Sequence, residues 1–191
     1  MTNRFDTREE YLAAALDEMR RTLFPVKVPE RVRVSCGFPK GSRGGRKAIG
    51  QAWTSACSQD GTFELFVSPV LSGDDPVTVL GVLVHEVVHT VVGLAAGHKS
   101  PFKRLAEEIG LTGKMTATYP GEDLSEYLGH LSRHLGRYPH GSLIPGAGMK
   151  KDGTRLVKLE CPGCGYILRT TAKWIETGLP TCCCGEEFQL A

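Results

Sequence analysis

The sequence has no long apolar run free of ionisable groups. Its most apolar stretch, Val77–Ala96, contains His85, Glu86 and His89, with His98 just beyond. Such groups are expensive at mid-bilayer depth, so this stretch does not read as a membrane span. An apolar leader is also missing: Asp6, Glu9 and Glu10 stand where a signal peptide would be hydrophobic. Charge of one sign is scarce. A formal net charge of +2 over 191 residues does not announce a nucleic-acid binder. No internal repeat is visible. What is present, 41% hydrophobic and 23% charged residues, supplies a core and argues against general disorder. The length suits one domain, or a domain with a small appendage.

Cysteine is unevenly spread. Cys36 and Cys57 stand alone, while Cys161, Cys164, Cys182, Cys183 and Cys184 crowd the end. An odd total with close paired spacings favours metal-bound thiolates in a reducing compartment over a disulfide framework. The expected location is cytoplasmic.

The first helix starts at Thr7, with Glu10 as reciprocal capping partner, and Leu12, Leu16, Met19 and Leu23 form its apolar stripe. Val32, Val34, Cys36 and Phe38 alternate with polar or small residues as a half-buried strand. Further strands are expected at Ala48–Trp53 and Thr62–Ser68, with Asp60-Gly61 in the turn between them. A glycine-rich basic loop, Lys40–Lys47, precedes them. Asp75 and Pro76 open a helix that is apolar on nearly every face through Val92, as befits burial between a sheet and other helices. Helices at Ser100–Ile109 and Glu122–Leu135 follow. The proline- and glycine-rich stretch after residue 136 reads as a linker that can pack on the first domain. A module of about 40 residues then needs a staple, which the cysteines supply.

The sharpest signal is His85-Glu86-Val87-Val88-His89. Residues four apart project from one helix face, so both imidazoles reach a single Zn²⁺. Glu86 stays near enough to serve as general base toward a metal-activated water. Two locally hydrogen-bonded histidines and a salt-bridged glutamate would each need separate compensation in this apolar helix; one metal site accounts for all three. A catalytic zinc needs a third ligand and an open position. His98, after the turn allowed by Gly93 and Gly97, is the choice; Glu107 or Glu108 is the fallback, and Glu122, Asp123 and Glu126 are weaker. His130 and His134 share the i,i+4 spacing but lie beside a leucine stripe and read as a surface pair.

This arrangement resembles the SprT-like zinc metallopeptidase domain. The likeness rests on Val79–Phe102 with its Gly97-His98 pair, on Ala48–Trp53, and on the strand Phe63–Ser68 leading into Pro69. It covers roughly residues 5–135. It implies zinc ligation by His85, His89 and His98, catalysis by Glu86, and peptide-bond hydrolysis. Tyr119 and His134 are candidate oxyanion donors, and Thr62–Ser68 is the expected edge strand for an extended peptide. The pattern departs from that of metzincins, whose third histidine would fall at Ala95 and whose methionine turn has only Met115 as a weak match.

Cys161-Pro162-Gly163-Cys164-Gly165 has zinc-knuckle spacing. Cys182, Cys183 and Cys184 compete for the two remaining places. Cys182 and Cys184 are favoured because Cys184-Gly185 repeats the end of the first knuckle, although a two-residue gap is the commoner spacing. Trp174 is either core filler or an exposed contact.

The expected architecture is α+β: a minimal zincin-like metallopeptidase domain over residues 1–136, with a small sheet packed on helices. A linker (137–154) and a C-terminal zinc ribbon (155–191) follow. The expected cofactors are two zinc ions, one catalytic and one structural. Expected partners are a protein or peptide substrate and no membrane. Some SprT-like relatives act on DNA-associated proteins, which makes the Lys40–Lys47 loop and the ribbon candidate DNA contacts; a solvated charged loop is the plain alternative. The competing function is a nucleic-acid- or protein-binding adaptor on the same scaffold, with weak or no catalysis.

Overall fold

The computed structural model describes residues 4–39, 48–71, 73, 75–147 and 156–191. The chain divides into two compact units, Met1–Ala147 and Gly148–Ala191, and both mix helix and strand. The Lys40–Lys47 loop lies outside the described residues.

Local signals set the helices of the first unit. Helix α1 spans Arg8–Thr22 and carries the full capping box: Glu10 N–H donates to Thr7 Oγ1 at 3.2 Å, and Thr7 N–H donates to Glu10 Oε2 at 3.0 Å. Its inner face buries Tyr11, Leu12, Ala15, Leu16 and Met19, each larger side chain contributing about 2 kcal/mol of apolar burial. Helix α2, Pro76–Val92, starts with proline in its first turn and Thr78 N–H donating to Asp75 Oδ1 at 3.0 Å.

Strands β1 (Val32–Cys36), β2 (Gly50–Trp53) and β3 (Phe63–Val67) form one sheet in the order β1-β3-β2. The β1–β3 pair is parallel and the β2–β3 pair antiparallel. This corrects the expectation for the Thr62–Ser68 segment. Strand β3 is hydrogen-bonded on both sides, so it has no free edge to offer a peptide; among the described residues β2 stands at the end of the strand order. Phe38 also departs from expectation: it lies past the end of β1 and is exposed.

Helix α2 packs on β2 and β3 and is covered elsewhere by α1, α3 (Ser100–Ile109) and α4 (Glu122–Leu135). An antiparallel hairpin, β4 (Leu111–Lys114) with β5 (Ala117–Pro120), also leans on α2. The approach is close. A methyl group at Gly81 would lie 2.6 Å from Pro120 Cγ.

The first unit runs on past residue 136. Tyr138 is buried, with its ring 5.1 Å from that of Tyr11. Buried Arg8 donates to the carbonyls of Pro139 and Pro69, each at 3.4 Å, and to that of Gly141. Leu143 N–H donates to Pro69 O at 2.8 Å. Residues 137–147 therefore belong to this unit; the remainder of the expected linker, 148–154, lies outside the described residues.

The second unit is an antiparallel sheet in the order β7-β6-β8, built from β6 (Leu156–Glu160), β7 (Ile167–Thr171) and β8 (Gln189–Leu190), with a short helix α5 (Ala172–Glu176). Among the described residues its buried core is Leu159, Cys161, Cys182 and Phe188, flanked by Val157, Leu168, Ile175 and Leu179. So small a core needs a further restraint.

Candidate metal centres

Helix α2 places His85 and His89 one turn apart, facing a cavity of about 620 Å³. The chain leaves α2 through Gly93 and turns again at Gly97, whose φ values of 82° and 52° are left-handed backbone that glycine adopts without strain. That reversal returns His98 to the helix. His98 Nε2 lies 3.2 Å from both His85 Nε2 and His89 Nε2. Two nitrogens bound to one tetrahedral Zn²⁺ at about 2.0–2.1 Å would stand about 3.3 Å apart, so the spacing suits a shared ion.

Phe102, on the first turns of α3, forms the floor beneath the rings. Its fully buried side chain lies 4.8, 4.5 and 4.9 Å, centroid to centroid, from His85, His89 and His98. Burial pushes His85 down to about 3, with the neighbouring His89 and His98 adding to the shift. It pushes His89 down to about 4, with His98 adding, and lowers His98 as well. All three imidazoles are therefore neutral at pH 7, as ligation requires.

Glu86 points to the side of α2 packed against the sheet. Its carboxyl is buried, and burial raises it to about 8. It nevertheless lines the same cavity, together with Ala48–Ala52 of the β2 segment and Thr116–Tyr119 of the hairpin. The cleft thus runs between β2 and β5, with the histidines and Glu86 along its base.

Thr118 of β5 was not singled out by sequence. Its Oγ1 lies 2.8 Å from His85 Nδ1. The alternating small and β-branched residues of 116–119 were the available signal, but each strand of the hairpin is only four residues long. Tyr119 lines the cavity rim, 62% exposed, whereas His134 is not among the lining residues. The fallback ligands stay apart from the cluster: Glu107 is exposed and paired with Lys103, and Glu108, Glu122, Asp123 and Glu126 are exposed. His130 is a surface residue 3.7 Å from Glu126.

In the second unit, the donor atoms of Cys161, Cys164, Cys182 and Cys184 lie within 4.8 Å of one another. Sγ separations of 3.3 Å (Cys161–Cys184) and 3.5 Å (Cys164–Cys182) are far too long for disulfides, which close at about 2.05 Å. They fall near the roughly 3.8 Å that two thiolates on one tetrahedral zinc would show. Gly163 leaves room at the turn, where a methyl group would come within 2.8 Å of Glu186 Cγ. Cys183 is exposed and stands outside the four. Trp174 is 60% exposed, which answers the question of core filler against surface contact.

Both clusters are positioned to hold a metal ion, and their donor sets suit zinc. No helix among the described residues is long and apolar enough to cross a membrane. The chain matches no protein-family model, no curated protein and no solved structure in comparisons with each.

Proposed function

We propose that the first unit is a zinc-dependent endopeptidase of the SprT-like, zincin-like kind and that the second is a zinc ribbon. The observation that carries this reading is the buried carboxyl of Glu86 opening on the same cleft as three converging imidazoles. Ligation alone would not require that carboxyl.

His85, His89 and His98 would hold the catalytic ion, three protein ligands beside a cavity. Zinc there supplies Lewis acidity and brings the pKa of a water toward neutrality. Glu86, whose burial holds its proton in the metal-free chain, would act as a carboxylate with a cation bound at the neighbouring histidines. Glu86 then takes the proton of the attacking water and delivers it to the leaving amine. The cavity between the β2 segment and the hairpin has room for an extended peptide laid across Glu86 and the histidines. Tyr119 at the rim is the better placed of the two candidate oxyanion donors.

The exposed Trp174, with Lys173 Nζ 5.6 Å from its ring centroid, supports a nucleic-acid contact by the ribbon through stacking beside a cation. The test is hydrolysis of a protein panel by zinc-reconstituted chain, with and without single-stranded and duplex DNA, comparing wild type with Glu86→Gln. Hydrolysis is expected to disappear in the variant while zinc content is unchanged. Equal rates would remove Glu86 as the base, and indifference to both DNAs would remove the nucleic-acid contact.

A further inference from the structure

We infer that Thr118 is a positioning residue for the histidine cluster: its hydroxyl accepts the Nδ1–H of His85 and so commits the Nε2 lone pair to the metal. This deepens the metal-site reading above and stands on it. A neutral imidazole carries one N–H and one lone pair, so fixing the proton on one nitrogen frees the other. His85 Nε2 is the atom turned toward the other ligands, 3.2 Å from His98 Nε2, and Nδ1 is the atom turned away, 2.8 Å from Thr118 Oγ1. Among the described residues, Thr118 is the only group hydrogen-bonded to the outer nitrogen of one of the three rings.

The hydroxyl sits on prepared backbone. Strand alternation turns Thr118 and Pro120 inward and leaves Ala117 and Tyr119 exposed. One residue after Tyr119, Pro120 rests on Gly81 of α2, the helix that also carries His85. Across the hairpin, Gly113 pairs with Thr118 and makes room for the Tyr119 ring, whose Cε1 would stand 2.7 Å from a methyl group there. Gly121 N–H donates to Gly110 O at 2.8 Å and closes the base of the hairpin. A strand locked at three points holds Oγ1 in register with the His85 ring.

Thr118→Val keeps the branched shape and removes the acceptor; Thr118→Ser keeps the acceptor. The full chain, with the ribbon cysteines loaded, is titrated with zinc against a chelator. Cobalt substitution separates the sites, because only the thiolate site gives sulfur-to-metal charge-transfer bands. Thr118→Val is expected to bind zinc at the histidines about 10–100-fold more weakly, and Thr118→Ser to restore most of the loss. Long-range ¹H–¹⁵N correlation of the zinc-loaded wild type is expected to show the His85 proton on Nδ1. Undiminished affinity in Thr118→Val, or metal on Nδ1 of His85, would overturn the inference alone. Failure of the wild type to bind zinc at the histidines would overturn it together with the metal reading. Zinc binding that weakens as expected in a chain without proteolytic activity would support the inference and sink only the peptidase assignment.

Discussion

Gly50 of the edge strand lies directly against the carboxyl of Glu86. A methyl group at this position would overlap Oε1 and come within 2.7 Å of Val82 Cγ1. Both neighbours belong to α2, so the strand and the helix meet over the proposed base with no side chain between them.

Gly50→Ala should therefore displace the carboxyl without touching a ligand. The expected outcome is a loss of about 10²-fold in kcat/KM, the scale on which small misplacements of reacting groups act, with zinc content unchanged. Metal analysis beside peptide hydrolysis rates checks this. Wild-type activity in the alanine variant would show that Glu86 is not held by this contact.

The burial of Glu86 also sets a pH dependence in the zinc-free protein. The unfolded chain releases this proton near 4.5, whereas the folded chain keeps it up to about 8. Across that window the folded state binds more protons, so the contribution of Glu86 to stability falls as pH rises. Glu86→Gln removes this loss, and the two proteins should diverge by a few kcal/mol in order of magnitude between pH 5 and 8. The histidines titrate alike in both and cancel in the comparison. Urea unfolding in chelator, followed through Trp53 in a Trp174→Phe background, measures the difference. Parallel stability curves would contradict it.

The cysteine cluster separates four residues from a fifth. Cys164→Ser is expected to abolish zinc binding at the second unit and to unfold the sheet of β6, β7 and β8, since its small core depends on the metal. Cys183→Ser should leave zinc stoichiometry and circular dichroism unchanged. Zinc loss in Cys183→Ser would reassign the ligand set.

Tyr11 carries a hydroxyl buried without a hydrogen-bond partner among the described residues, and burial pushes its pKa up to about 12. Removing an unpaired polar atom relieves its desolvation cost, so Tyr11→Phe should stabilise the first unit by about 1 kcal/mol. Denaturant midpoints at constant m-value measure this. A destabilised phenylalanine variant would reveal a partner for the hydroxyl.

Much of this organisation was legible because it is written in short-range spacing. Thr7 with Glu10, Asp75 with Pro76, and His85 with His89 act within a turn of helix, where geometry follows from sequence separation. His98 was legible through Gly93 and Gly97, whose positive φ values turn the chain back. Strand order was not. Which of β2 and β3 lies at the edge depends on pairing between distant segments, which the composition of neither strand reveals. Thr118 was missed for a similar reason: its role arises from a partner 33 residues away, on a hairpin whose strands are too short to show a period. The inclusion of 137–147 in the first unit depends on Tyr138 and on the carbonyls that Arg8 reaches, none of which a proline- and glycine-rich stretch reveals.

Arg8 ties the opening turn of α1 to residues 139 and 141, so the two extremities of the first unit are fastened at a single buried cation. Trimming the protein at Gly136 would strip that guanidinium of two of its carbonyls and remove the ring of Tyr138 from against Tyr11. A fragment meant to keep the packing of the first unit whole should thus extend beyond Gly141, because its two ends are joined to each other far from the cleft.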